Sequence, residues 1–161
     1  MWSRIRERRR SQRGFSLIEL LIVIAIILII LSIALPKMSQ SQMHAREMGA
    51  IATLKTINTV QIQYQSQFGQ YATALAQLGP PAGAGTNEGP QAANLISSNL
   101  ANGSTGGYNY TVTQTPSGYA VQAVPKAYGN TGRRSFYTDQ TGIIRESTTQ
   151  EPANVNSPEM K

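Results

Sequence analysis

The chain has no cysteine, one histidine and one tryptophan among its 161 residues. Without cysteine there is no disulfide staple, no thiolate metal site and no cysteine nucleophile. An extracytoplasmic home stays open, because a disulfide is permitted there and not required. Acids are sparse too: eight in all, seven of them after Gly14. They are scattered, and no carboxylate pair for acid–base work stands out. His44 has no second histidine at ligand spacing, which favours a solvated or subunit-contact role over catalysis. No Gly-x-Ser-x-Gly, P-loop, His-Glu-x-x-His or EF-hand pattern occurs. Asp139, Glu146 and Glu151 could ligate calcium through a loop, but calcium prefers six to eight oxygens, usually with several carboxylates, so no metal site is the expectation. The expectation is a chain that is not an enzyme, with no catalytic residue, no metal site and no cofactor.

Negative charge is scarcest where positive charge is densest. Arg4, Arg6, Arg8, Arg9, Arg10 and Arg13 against Glu7 put +5 into the first 14 residues, leaving +1 of the total +6 for the rest. A basic chain invites a nucleic-acid or membrane-surface reading. Here the charge belongs to one short segment and the body is nearly neutral, so net charge makes no case for a nucleic-acid partner. Lys126, Tyr128, Arg133 and Arg134 form a small basic and aromatic group that could touch DNA. It reads first as a solvated strand start or a subunit contact.

What the chain does have is a long apolar run. Residues 15–35 are interrupted only by Ser16, Glu19 and Ser32. About 20 helical residues cross a hydrocarbon layer of roughly 30 Å, and arginines before the run place its N-terminus in the cytoplasm. An ordinary secretory signal, with Ser32-Ile33-Ala34 as a small-x-small cleavage site, is one reading, but such apolar cores run only about 7–15 residues. A plain membrane anchor is another. Glu19 fits neither. A carboxylate in mid-bilayer costs about 2.5–3.5 kcal/mol on insertion scales, less near the interface, so a partner is expected for it.

The stretch Gly14-Phe15-Ser16-Leu17-Ile18-Glu19-Leu20, behind a short basic leader, resembles the type IV prepilin signal. The resemblance covers residues 14–36. It implies cleavage after Gly14 by a membrane-embedded prepilin peptidase, and N-methylation of the new terminus at Phe15 by the same enzyme from S-adenosylmethionine. It also implies an inter-subunit role for Phe15 and Glu19, the Glu19 carboxylate attracting the N-terminal amine of a neighbouring subunit. Physically, an isolated carboxylate is expensive in an apolar filament core and an ammonium partner removes much of that cost. Pro36 then reads as a helix kink within one long helix, or as the helix end, since proline removes an i to i−4 hydrogen bond.

Beyond Pro36, Ala50, Leu54, Ile57, Gln61, Tyr64 and Phe68 recur at steps of four and three, with Met48 and Ile51 flanking. That places them on one face of an amphipathic helix, with Lys55, Thr59, Gln63 and Gln67 opposite. Gly79-Pro80-Pro81 and Gly83-Ala84-Gly85 punctuate a connection rich in loop formers, in which residues 92–100 could form a short helix. Alternation over residues 108–113 and 119–124, and shorter runs at 135–138 and 143–145, predict four strands paired as two hairpins. The second hairpin, around Asp139 and Gly142, is similar to a Phe-x-x-Asp-x-x-Gly element of pilin-like heads.

The expected class is α+β: a long N-terminal helix with a small C-terminal antiparallel β-sheet packed on its second half. The expected organisation is a leader over residues 1–14, a transmembrane and filament-core helix over 15–35, and an amphipathic stem over 36–68. A variable connecting loop over 69–107, a β-sheet head over 108–145 and a flexible tail over 146–161 follow. The resemblance implies a structural subunit that homo-polymerises into a type IV pilus, or alternatively a type II secretion pseudopilin. A membrane-tethered periplasmic binding or sensor module with an intact N-terminus is the reading from a different class. The implied partners are the peptidase and methyltransferase, an inner-membrane platform protein, an assembly ATPase and further copies of the chain. The implied location is the bacterial inner membrane, single-pass with the N-terminus cytoplasmic, then an extracellular pilus or periplasmic pseudopilus. The missing cysteines remove the C-terminal disulfide loop common in type IV pilins, which leaves the subfamily open.

Overall fold

A computed structural model describes residues 14–81, 83 and 87–160, without the Pro36 side chain. The basic leader therefore lies outside the described residues, apart from Gly14. The chain divides into two units, residues 1–38 and 39–161. Helix α1, Leu17–Phe68, belongs to both and is assigned without a break at Pro36.

In the first unit the described apolar side chains are exposed and none is buried. Phe15, Leu17 and the isoleucines and leucines up to Leu35 are exposed. Among the described residues, α1 is the one helix long and apolar enough to cross a membrane, with a mean hydropathy of 3.2 over its most apolar window.

The second unit holds the core. The periodic face of α1 is buried as the spacing predicts, with Ala50, Leu54, Ile57, Gln61 and Tyr64 inside and Phe68 half-buried. Met48, expected at the flank, is exposed, whereas Ile51 is buried. Short helices α2 (Leu75–Leu78) and α3 (Ser98–Ala101) follow, each anchored by buried leucines. The helix expected over residues 92–100 is thus confined to its C-terminal end. Beyond them lie β1 (Ser104–Thr105), β2 (Tyr108–Thr115), β3 (Gly118–Pro125), β4 (Ser135–Asp139) and β5 (Ile144–Ser147). They form one antiparallel sheet in sequence order. The expected α+β class is observed, with one strand more than the four predicted. The extra strand, β1, has two residues, too few for alternation to mark.

Side-chain alternation orients the sheet. Tyr108, Tyr110 and Val112 of β2 point into the core and Asn109, Thr111 and Thr113 point out. Burial of these three residues with Tyr119, Val121 and Phe136 against the α1 face forms the core. Its polar members Asn58 and Gln61 are satisfied by the sheet and by the loop after α1. The Asn58 side chain donates to Thr138 Oγ1 at 3.0 Å and accepts from the Tyr119 hydroxyl at 3.0 Å. Gln61 closes a pair with the backbone of Ala72, donating to its carbonyl and accepting from its N–H. Truncating Asn58 to alanine leaves the Tyr119 hydroxyl and Thr138 without partners and is expected to cost about 1–3 kcal/mol. Urea unfolding of the detergent-solubilised chain would show it as a lower midpoint at unchanged slope.

Burial also raises the phenol pKa values. Tyr119 is pushed up to about 12 by desolvation, with Tyr71 and Asp139 adding to the effect. Tyr108 is driven higher still by desolvation and by Glu47. Both keep their protons in the folded chain where the unfolded chain, with the ordinary value of 10.0, has lost them. Their contribution to stability is therefore complete below about pH 10 and is lost as pH rises toward 12. Thermal unfolding against pH should be flat through neutrality and fall steeply above about pH 10, with a shallower fall in a Tyr119→Phe variant.

The flexible tail expected from Glu146 is corrected by the structure. Glu146 lies within β5, and the segment after it is hydrogen-bonded back to the sheet as far as Met160. Glu146 N–H donates to Pro158 O and Met160 N–H to Ile144 O, both at 2.9 Å, which pairs the end of the segment with the β5 edge. Ala153 is wholly buried, its N–H held by Ser135 Oγ and its carbonyl by the Gln122 amide. These are mostly backbone contacts with one small anchor, so they leave no hydrophobic period to read. They also cover an edge strand that would otherwise be open to pairing.

Candidate assembly interface

The N-terminal segment begins as irregular chain. Gly14, Phe15 and Ser16 precede the helix, and Leu20 N–H bonds back to Ser16 O at 3.2 Å. Glu19 is the acid of the first helical turn. A carboxylate there is favoured by the N–H groups that have no intrahelical partner. It stands one turn beyond Phe15, with apolar residues at every other position from Leu17 to Leu31. Phe15 is 79 % exposed and Glu19 is exposed as well. The structure thus presents Phe15 just before an exposed apolar helical stretch and Glu19 in its first turn, and gives neither a partner from the same chain among the described residues.

A second charged arrangement lies inside the other unit. Glu47, nearly buried, accepts from the Arg133 backbone N–H at 2.8 Å and from Arg134 Nε at 2.9 Å. Arg134 continues to Glu146 at 2.9 Å and lies over the Phe136 ring, 5.5 Å from its centre. Burial works against the Arg134 charge, but the bonds and charges of Glu47 and Glu146 outweigh it and raise its pKa. The carbonyl of Arg134 accepts from the Tyr108 hydroxyl. That ring passes so close to Gly132 that a Cβ there would run into its hydroxyl. Gly132→Ala is accordingly expected to destabilise the chain by about 1–3 kcal/mol through overpacking, read as a lower melting temperature.

Glu47 was not singled out by sequence, though a signal existed. It stands three residues before Ala50 on the same face, so it is an acid on the apolar stripe, where a buried partner is required. The other expected residues are dispersed. Asp139 accepts from Thr141 N–H at 2.9 Å and from the Thr141 hydroxyl, which caps the β4–β5 turn. Glu146 is taken by Arg134, and the Glu151 carbonyl meets Ser135 Oγ. Among the described residues no three potential ligands gather around a metal position. Of the basic group, Arg134 turns inward, whereas Lys126 and Arg133 stay exposed. His44 is exposed on the helix beside Arg133.

Residues 9–35 match the model of the prokaryotic N-terminal methylation motif. Residues 92–161 match a family described as a protein of unknown function (DUF2950), a span that takes in α3 and the sheet. Over 67 residues the chain is 37 % identical to the type IV major pilin protein PilA of Myxococcus xanthus (strain DK1622), covering 42 % of this chain and 30 % of that one. It is likewise 37 % identical over 67 residues to the competence protein ComGC of Halalkalibacterium halodurans, covering 66 % of the latter. The chain therefore spans under a third of the first relative's length and just under two thirds of the second's. No solved structure matches. The methylation motif, the long apolar helix running into a stem, the antiparallel sheet and the two relatives together support the type IV pilin and pseudopilin superfamily.

Proposed function

We propose that this chain is a structural subunit of a type IV pilus, trimmed after Gly14, N-methylated on Phe15 and then polymerised. The reading is carried by one observation: a single carboxylate, Glu19, in the apolar first part of α1, which nothing among the described residues covers. Before assembly the bilayer would solvate residues 15–35, with the N-terminus in the cytoplasm. In the filament the same helices would pack on one another, and the ammonium of Phe15 on one subunit would meet Glu19 of the next. An unpaired charge in such a core is costly, so the pair acts chiefly on register.

None of these residues does chemistry of its own; Gly14 and Phe15 are substrate positions for a peptidase and methyltransferase. A platform protein and an ATPase would supply the work of extraction. The division into leader (1–14), core helix (15–35), stem (36–68), connection (69–107) and head (108–145) follows from the same reading, with Pro36 as the point where α1 can bend. Names among the relatives include both a major pilin and a competence protein, which keeps a periplasmic pseudopilus as the alternative. Deleting the gene separates them. Loss of surface filaments that the antibody-labelled chain restores supports the pilus; a secretion defect with no surface filament in the parent strain favours the pseudopilus.

A further inference from the structure

Between Lys55 and Lys126 the chain carries a single charged residue, Glu88. Within that stretch lies a cleft whose lining holds no charge at all. One wall comes from the end of α1 and the turn after it, between Gln65 and Thr73; the other is the β2–β3 turn, from Gln114 to Gly118. Both walls are held in place. Gly69, at φ 74°, ends α1 with its N–H on the Gln65 carbonyl at 2.8 Å. Gln61 then grips Ala72 by carbonyl and N–H, which secures Tyr71 beside it. Opposite, Thr115 pairs with Gly118 across a two-residue turn, Pro116-Ser117. The half-buried Tyr71 ring lies 5.0 Å from that of Tyr119, and a Cβ on Gly118 would come within 3.3 Å of its edge.

The cleft leaves neutral hydrogen-bonding capacity unspent. The amides of Gln65, Gln70 and Gln114 and the hydroxyls of Tyr71 and Ser117 bond to nothing among the described residues, whereas Thr73 is taken by Gln77. The hydroxyls of Tyr64, Tyr108, Tyr119 and Tyr128, by contrast, are all bonded within the chain. Thr115 Oγ1, on the strand side of the cleft, is shielded from solvent and also has no partner. A buried polar atom in that state is uncommon and points to a bound water or ligand.

We propose that this cleft binds a neutral sugar ring. Each glutamine amide offers a donor and an acceptor, and so matches the neighbouring hydroxyls of a sugar, which also do both. The Tyr71 ring supplies an apolar face of fixed orientation for the C–H side of the ring, with a hydroxyl at its tip. The volume, about 310 Å³, is at the small end of ligand sites, which run roughly 300–1,000 Å³. With no cation in its lining, the cleft cannot pair the charge of a phosphate or carboxylate, and with no acid it cannot pair an ammonium. A peptide would ask for apolar side-chain pockets, and the lining is amide and hydroxyl apart from the Tyr71 ring, Pro116 and two glycines. The site lies wholly in the head unit and does not depend on the pilus reading.

Saturation-transfer NMR tests it on the full chain, held in a detergent without a sugar headgroup. The probes are glucose, galactose, mannose and N-acetylglucosamine at about 20 mM each, well above the roughly 1 mM dissociation constant of a weak site. At least one should receive magnetisation on its ring C–H protons. The Gln70→Ala/Gln114→Ala chain loses no bond within the fold, so it should keep its melting temperature and bind that sugar about tenfold or more weakly. Tyr71→Ala should abolish the transfer, and Tyr71→Phe, which keeps the ring, should retain most of it. Beads carrying a polymer of the bound sugar separate the sources: retention of the chain marks a polysaccharide, transfer without retention marks a free sugar, and both agree with the cleft. No transfer to any of these sugars overturns the proposal. Equal transfer in the double variant overturns it by placing the contact elsewhere. Tighter binding of glucuronate, or equal binding of an uncharged Gly-Ser peptide, overturns the ligand class. No readout here needs a filament, so the pilus reading stands or falls separately.

Discussion

A Glu19→Ala chain should reach the membrane and be cleaved after Gly14, yet leave filament yield down by about a hundredfold or more. The mechanism lies on the partner, since alanine itself is welcome in hydrocarbon. Removing the carboxylate strands the neighbour's ammonium in an apolar core, and breaking one half of such a pair costs about 3–5 kcal/mol. A Glu19→Gln chain keeps the shape and a neutral acceptor, and should recover only a small part. Gly14→Leu separates the steps: it should accumulate as uncleaved precursor, with no filaments, because the bond is never cut. The measurement is an immunoblot of sheared filaments beside the cell-bound pool. Normal incorporation of both variants would remove the basis for the whole reading.

The second large effect is on stability. Glu47→Ala should lower unfolding free energy by about 3–5 kcal/mol, the range for breaking a buried pair at one partner. Two groups lose their acceptor at once, the Arg133 N–H and Arg134 Nε, and Arg134 keeps only its bond to Glu146. The partly exposed Arg134 places the loss toward the lower end of that range. Glu47→Gln preserves one acceptor and should cost less. Thermal or urea unfolding of the two variants in detergent gives the ordering. A change below about 0.5 kcal/mol for Glu47→Ala would put it among ordinary surface substitutions and contradict the geometry.

How much of this was legible depended on the range of the interaction. The stripe from Ala50 to Tyr64 was readable because helical periodicity writes burial into spacing, and β2 was readable because Tyr108, Tyr110 and Val112 alternate with polar residues. Glu19 stands out in the sequence because a charge inside an apolar run has few explanations, and its pairing is the part that assembly has to test. The Glu47–Arg134 bond joins residues 87 positions apart and leaves no local pattern beyond an acid on the stripe. For the same reason the sequence groups Arg134 with Lys126 and Arg133, and only tertiary structure separates it from them. The segment after Glu146 reads as a loose tail in the sequence because backbone hydrogen bonds and one buried alanine carry no sequence period.

The central claim is that the chain matures at Gly14 into an assembly-competent subunit, and the mass of its native N-terminus tests that most directly. The account predicts that the protein purified from its own cells starts at Phe15 and carries one methyl group on its amine. An intact Met1, or a chain beginning at Leu35 after ordinary signal cleavage, would contradict it.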